Sequence, residues 1–199
     1  MFKKTEKESF YYGSSVLLMT TKDPNTNEDN ITVISSTWTL GKTIAVGLGL
    51  ENKGFSNLTI GSEATFNIAD AAIWKKIERI ARTTGGNISD YKHREGYTYC
   101  SDKFKLGGFT KFSGEDVSSV RIKDCPIQIE TTITEINIKE GFAIGAIKEI
   151  FVDEKYYTND FHIDVSKWFP LIYKFREYSS TNKSLGINFR FQEFKKIWN

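Results

Sequence analysis

The amino-acid sequence predicts a mainly β fold with helices inserted between its strands, an antiparallel sheet closed or nearly closed into a barrel. Three observations carry that reading. After Pro126, Ile127, Ile129, Thr131 and Ile133 alternate with Gln128, Glu130, Thr132 and Thr134, and beyond a turn near Lys139-Glu140-Gly141 come Phe142, Ile144 and Ala146 in a strand reaching about Val152. This is a long antiparallel hairpin with one wet face. Several strand-length apolar runs crowd the first third of the chain, and helical spacing is confined to the stretch between them and the hairpin.

The elements follow in order. Val16-Leu17-Leu18-Met19 is a short continuous apolar run, the pattern of a buried strand, and a polar loop from Lys22 to Asn30 follows it. Ile31-Thr32-Val33-Ile34 resumes as a strand and runs into Ser35-Ser36-Thr37-Trp38. Leu40-Gly41-Lys42 reads as a turn, which makes Thr43 to Leu50 a hairpin partner. In that strand Ile44, Val46, Leu48 and Leu50 point to one face, and Ala45, Gly47 and Gly49 to the other. Residues 52–60 predict a short helix, and Thr65-Phe66-Asn67-Ile68 a further strand. Asp70 is placed to cap a helix in which Ile73, Trp74, Ile77, Ile80 and Ala81 share a face, ended by Gly85-Gly86. A second capped turn is expected from Asp102 to Gly107-Gly108. No internal repeat or linker interrupts the chain, so it reads as one domain over 1–199 with its core at about 10–190.

Composition bounds the function. A chain of 199 residues can bury a full core without staples. Its 27 basic and 25 acidic side chains leave a net charge of only +2, which argues against a broad nucleic-acid surface. Cys100 and Cys125 have neither a disulfide framework nor metal-ligand spacing, and with only His93 and His162 beside them no metal site is expected. The start, MFKKTEKESF, lacks an apolar stretch, and the longest apolar runs are too short to span a bilayer. A cytoplasmic protein with no membrane contact is the expectation.

The stretch SSTWTLGKTIAVGLGLENK, residues 35–53, is the part of the chain with chemistry in it. Glycine weakens a strand, so the nearly bare face of Ala45, Gly47 and Gly49 needs a reason: tight curvature, a closely packed helix, or a flat ligand against the backbone. Ser35, Ser36 and Thr37 supply short hydroxyl donors, Trp38 a flat face with one N–H, and Lys53 a cation at the start of the expected helix. Together these are parts for holding a flat heterocycle on a phosphorylated chain.

These residues also carry a resemblance. The ordered set runs from the strand at Val16 to Thr21 through Ser35-Ser36-Thr37-Trp38, Leu40-Gly41, Ile44 to Gly49, Asn52-Lys53 and Ser56-Asn57-Leu58. It continues with Thr83-Thr84-Gly85 to Tyr91-Lys92, Gly96-Tyr97, Asp102-Lys103-Phe104, Cys125-Pro126 and Pro170-Leu171-Ile172-Tyr173. It is similar to the flavin reductase-like group of FMN-binding split barrels, most of all to the flavoredoxin-like branch. The resemblance implies a split antiparallel β-barrel, a homodimer, and FMN held non-covalently near the dimer interface. Ser35, Ser36 and Thr37 would border the flavin and its phosphate, Trp38 would line the ring pocket, and Leu48 to Asn52 would pass beside the ring. Lys53 and Asn57 would serve the phosphate, with Lys92, and less directly Arg176 and Tyr178, as further candidates. The implied activity is an oxidoreductase in which NAD(P)H reduces the bound flavin and an acceptor takes the electrons. The alternatives are a flavoredoxin-type electron carrier served by a redox protein, or a barrel that binds another flat cofactor. One departure is Leu40-Gly41-Lys42, where many flavin reductases have a proline-rich segment.

Overall fold

The computed structural model describes residues 2–6, 10–158, 162–181 and 185–186. In chain order its elements are β1 (Tyr12–Ser15), β2 (Leu17–Lys22), β3 (Asp29–Ile34), β4 (Thr37–Leu40), β5 (Thr43–Gly47), α1 (Lys53–Ser56) and β6 (Glu63–Ile68). A turn of 3-10 helix over Ala71–Ile73 leads into α2 (Trp74–Ala81), then β7 (Thr83–Thr84), α3 (Asp90–Arg94), β8 (Thr98–Tyr99) and α4 (Lys103–Gly107). The chain continues with β9 (Lys111–Phe112), β10 (Arg121–Ile122), β11 (Ile127–Asn137), β12 (Phe142–Val152), β13 (Leu171–Lys174) and β14 (Glu177–Ser180).

Seven strands form one antiparallel sheet in the order β3-β2-β6-β11-β12-β5-β4, curled into a half-barrel. The hairpin of β11 and β12 is its spine, and register shifts at Glu130/Thr131 and Ile133/Glu135 add the local bend a curling sheet needs. A three-stranded sheet, β1-β13-β14, abuts it. The two meet where Val16 donates its N–H to the Leu171 carbonyl at 2.8 Å and accepts the Ala69 N–H at 3.1 Å.

The apolar run at Val16 to Met19 is continuous because β2 is buried on both sides. Leu17 and Met19 enter the barrel core with Phe66, Ile44, Val46 and Ile129. Val16 and Leu18 enter a second core with Ile31, Ile77, Ile80 and Phe104, which seals α2 and α4 onto the outer face. The caps form as the sequence predicts: the Asp70 side chain accepts from Ala72 N–H, and the Asp102 side chain from Lys105 N–H. Gly108 closes α4 in the left-handed conformation, at φ 70°.

Three expectations are corrected, and one pairing goes unread. The strand from Thr43 stops at Gly47, not Leu50: Asn52 N–H closes a turn on the Gly49 carbonyl at 2.9 Å, and Leu50 stands out at its tip. Trp74 is exposed, not on the buried face of α2, because the apolar seam there is Ile77 and Ile80 alone. The wet face of β11 is interrupted at Glu130, which is fully buried. Its carboxylate accepts the N–H groups of Glu115 and Asp116 at 2.9 and 2.8 Å and faces Arg121 Nε at 3.5 Å. Lastly, β1 and its pairing with β13 go unread in the sequence, where YGSS shows no apolar alternation. Residues 187–199, including the tail aromatics, lie outside the described residues. Among the described residues no helix is long and apolar enough to cross a membrane.

Candidate functional site

β4 and β5 pair as the hairpin expected at Leu40-Gly41-Lys42, with Thr37 opposite Val46 and Trp38 opposite Ala45. β4 is an edge strand, so the ribbon presents one free side. On it opens a cavity of about 590 Å³, within the range of small-molecule sites. Ser36 lines it from just before β4, Thr37 and Trp38 from β4, Ala45 and Gly47 from β5, and Phe142 from β12. The N-terminal segment contributes Phe10, Tyr11 and Tyr12, and among the described residues none of the lining side chains is charged. Trp38 is 56% exposed, so its indole face is available.

The bare face of β5 has two uses here. Gly47 N–H donates to the Ser36 carbonyl at 2.7 Å, and a Cβ at Gly47 would lie 3.0 Å from Ser36 Cβ, so glycine lets β5 lie close against the start of β4. The same thinness leaves the cavity open. Gly49 belongs to the turn instead, where a Cβ would meet Asn52 Nδ2 at 3.3 Å.

A second, smaller cavity of about 80 Å³ lies at the other end of the 48–51 link, and its lining is polar. Asn52 and Lys53 reach it from the start of α1, Thr32 from β3, Thr84 from β7, and Tyr97 and Lys103 from the segments around β8 and α4. Lys53 is ion-paired with Asp23, whose carboxyl it holds below the usual carboxylate range. Lys103 is buried, and its ammonium donates to the Ile31 carbonyl at 2.8 Å. Burial pulls it down to about 8. Lys92, on α3, is also buried and donates to the Glu51 carbonyl, and burial lowers it too.

The sequence candidates therefore divide. Ser36, Thr37 and Trp38 share the large cavity; Asn52 and Lys53 share the small one. Ser35 is half-buried between β3 and β4. Leu48 commits its side chain to the barrel core and its N–H to the Gly141 carbonyl at 2.8 Å. Asn57 is buried, with Nδ2 donating to Thr21 Oγ1 at 3.0 Å, and lines neither cavity. Arg176 is exposed in the β13–β14 turn, and Tyr178 donates its hydroxyl to Glu78 at 3.1 Å. His93 is exposed beside Lys92. Cys125 is fully buried, its thiol pushed well up by that burial, and Cys100 is half-buried.

The chain is 37% identical over 198 residues to YdfE, an uncharacterised protein of Bacillus subtilis (strain 168), covering 95% of this chain and 94% of that one. The chain belongs to the YdfE family. No protein-family model matches it. Among solved structures, this YdfE-family chain is similar to the flavoredoxin of Desulfovibrio vulgaris (Miyazaki F), with a TM-score of 0.80 and 23% identity over 95% of this chain and 98% of that one. A flavoredoxin from Methanosarcina acetivorans follows, with a TM-score of 0.77 and 18% identity over 96% of each chain. An FMN-binding domain of a flavin reductase-like enzyme from Shewanella baltica OS155 has a TM-score of 0.70 and 11% identity over 88% of this chain and 90% of that one. The fold of this YdfE relative is thus the split barrel of the flavoredoxin and flavin reductase-like proteins.

Sequence reading missed Lys103, Thr84, Tyr97 and the aromatic run Phe10-Tyr11-Tyr12 as lining residues. A signal existed for Lys103. Asp102 caps α4, so Lys103 opens a turn whose Phe104 and Gly107 are buried, and at five residues that turn buries its first side chain as well.

Proposed function

We propose that the chain binds FMN non-covalently and works as an FMN-dependent oxidoreductase of the flavin reductase-like kind, taking electrons from NAD(P)H and passing them to an acceptor. One observation carries this reading: a cavity walled by aromatic rings and thinned backbone, with no charged side chain among its described lining residues, is linked by four residues to a polar recess that holds the buried Lys103 and the half-buried Lys53. Five Cα steps separate Gly47 from Asn52, at most about 18 Å of extended chain, and the turn at Gly49–Asn52 shortens that. A flat neutral ring with a phosphate on a short tether fits such a pair of sites. The names of the structural neighbours, two flavoredoxins and one FMN-binding domain, support the same cofactor.

Trp38 would stack against the ring system, Ser36 and Thr37 would hydrogen-bond its polar edge, and Ser35 would border it. Asn52, Lys53 and Lys92 would serve the phosphate end. Leu48 and Asn57 would act through the core, with no side-chain contact to the cofactor. The flavin, when bound, supplies hydride acceptance and electron transfer, and the protein positions it and controls access.

A specific observation favours a second reading, the carrier. Among the described residues the lining of the large cavity has no cation to receive the phosphates of a nicotinamide dinucleotide, and His93 lies outside it. Anaerobic titration of the FMN-loaded protein with NADH, NADPH and a reduced ferredoxin-type protein, followed by the flavin's blue absorbance band, decides between them. Bleaching by a nicotinamide supports the reductase; bleaching only by the redox protein replaces it with the carrier. A colourless protein that takes up no added FMN removes both.

Phe10, Tyr12, Trp38 and Leu40 are all exposed around the free edge of β4. A homodimer that covers this rim would bury them and shield the ring pocket, and sedimentation equilibrium measures it. Free thiols at Cys100 and Cys125 suit a cytoplasmic location.

A further inference from the structure

Two buried cations in this fold, Lys103 and Lys92, make no ion pair among the described residues, and of the two only Lys92 has a carboxylate, that of Glu51, near enough to act on it through space. Among the described residues, no carboxylate lies within ion-pair distance of Lys103 or Lys92, and each ammonium is held by a single main-chain carbonyl, of Ile31 and Glu51 respectively. The Glu51 carboxylate is taken by the Ser89 hydroxyl at 2.5 Å. An ammonium carries three N–H donors, so Lys103 keeps two beyond its bond to Ile31. Burying a charge without a counter-charge is strongly unfavourable, and folded chains normally pair it or replace it by an apolar residue of the same shape.

Lys103 does not sit in apolar packing alone. It lines the small recess with Thr32, Asn52, Lys53, Thr84 and Tyr97, whose hydroxyl, amide and ammonium groups are all able to donate. Among the described residues no carboxylate belongs to that lining. About 80 Å³ holds a few waters or one tetrahedral oxyanion, and excludes a ring system.

We propose that Lys103 is the anchoring cation of a phosphate-monoester site in the recess between β3, the start of α1 and β7, and that it selects a phosphorylated ligand over its unphosphorylated parent. The two free N–H groups of Lys103 face the dianion, Thr32, Thr84 and Asn52 complete its hydrogen bonds, and Lys53, already neutralised by Asp23, adds a weaker field. Lys92 contributes long-range attraction from α3. With the flavin reading, on which the identity of the parent molecule rests, the selected ligand is FMN and the rejected one riboflavin; the anion site itself stands on the recess.

The test uses flavin-free protein, with wild type, Lys103→Met and Lys103→Arg titrated by flavin fluorescence against FMN and against riboflavin. Thermal unfolding with and without inorganic phosphate forms a third arm. Lys103→Met is expected to weaken FMN by about tenfold or more, as loss of a charge-assisted hydrogen bond does, and to leave riboflavin within about twofold. Lys103→Arg recovers part of the loss. Inorganic phosphate raises the unfolding temperature of wild type and not of Lys103→Met. Equal weakening of FMN and riboflavin, or none of either, overturns the proposal and returns Lys103 to the role of a clamp on Ile31. Phosphate stabilisation through Lys103 in a wild-type protein that binds neither flavin upholds the anion site and sinks the flavin reading alone. Should Lys103→Met fail to fold, the FMN-to-riboflavin ratio of Lys103→Arg decides: a ratio unchanged, with both affinities changed alike, is the overturning result.

Discussion

Replacing Lys103 by methionine also tests whether its ammonium is as poorly accommodated as its burial implies. In the unfolded chain the ammonium titrates at the ordinary lysine value of 10.5, and in the folded chain at about 8. Below pH 8 both states carry the proton; between 8 and 10.5 the unfolded state holds more protons than the folded one, so stability rises with pH through that window. For those two values the rise between pH 7 and pH 10 is about 2.5 kcal/mol by linkage. The titratable and charged groups around this site are Cys100, Lys92, Tyr97 and Lys53 with its partner Asp23. The informative quantity is therefore the difference between wild type and Lys103→Met. Urea unfolding at pH 7, 8, 9 and 10 measures it, with midpoints read at constant slope. Wild type should gain about 2–3 kcal/mol on the variant from the lowest to the highest pH, and saturating phosphate should flatten that gain by holding the proton on. A difference independent of pH would refute the reasoning, because the ammonium would then be well solvated in the folded chain.

Two glycines make contrasting predictions. Gly54 is the one buried residue of α1, and a Cβ there would come within 2.7 Å of Met19 Cε and 2.9 Å of Thr32 Cβ, and closer still to Thr32 Oγ1. Helix propensity favours Gly54→Ala by about 1 kcal/mol, but the overpacking costs about 1–3 kcal/mol or more, so urea unfolding should show net destabilisation; a gain would mean that the helix rides freely over β3. At Gly47 the obstacle is ligand space. Gly47→Val puts a branched side chain into the large cavity beside Ser36, and should weaken FMN by roughly tenfold to a hundredfold in a fluorescence titration. Unchanged FMN binding would place the ring elsewhere.

How much of this was readable from the chain depends on how local each cause is. The β4–β5 hairpin, the long β11–β12 hairpin and the caps at Asp70 and Asp102 arise from neighbours in sequence, and each stands where local pattern puts it. The pairing of β1 with β13 joins residues 12–15 to 172–174, and nothing in YGSS announces it. Glu130 looked wet because alternation alone assigns it to the solvent face. The segment of residues 113–121, outside the strand and just before it in the chain, covers it and supplies the N–H groups and the guanidinium that make burial tolerable. The candidate site shows the same division. Hydroxyls, the indole and Gly47 on or beside adjacent strands fall together around one cavity, whereas Asn57, given to the phosphate by the family resemblance, turns its amide inward to Thr21.

Lys103 is the sharpest case, since its identity says nothing and its surroundings say a good deal. A lysine after a capping aspartate is ordinarily a solvated side chain with its stem along the surface. Here Ile80 and Phe104 close the core beside the residue and the Ile31 carbonyl fixes its tip. If holding that carbonyl were the whole task, a neutral donor would do it without the charge, and the difference is the few kcal/mol that the pH experiment reads. A fold retains such a term readily when something offsets it in the working state. An oxyanion in the adjoining recess offsets it directly: it holds the proton on the ammonium, occupies the two remaining donors and turns an unfavourable burial into a binding determinant. Stability lost in the free protein and affinity gained for the phosphate are then two readings of one interaction, which is why the pH dependence and the FMN-to-riboflavin preference should vanish together in Lys103→Met.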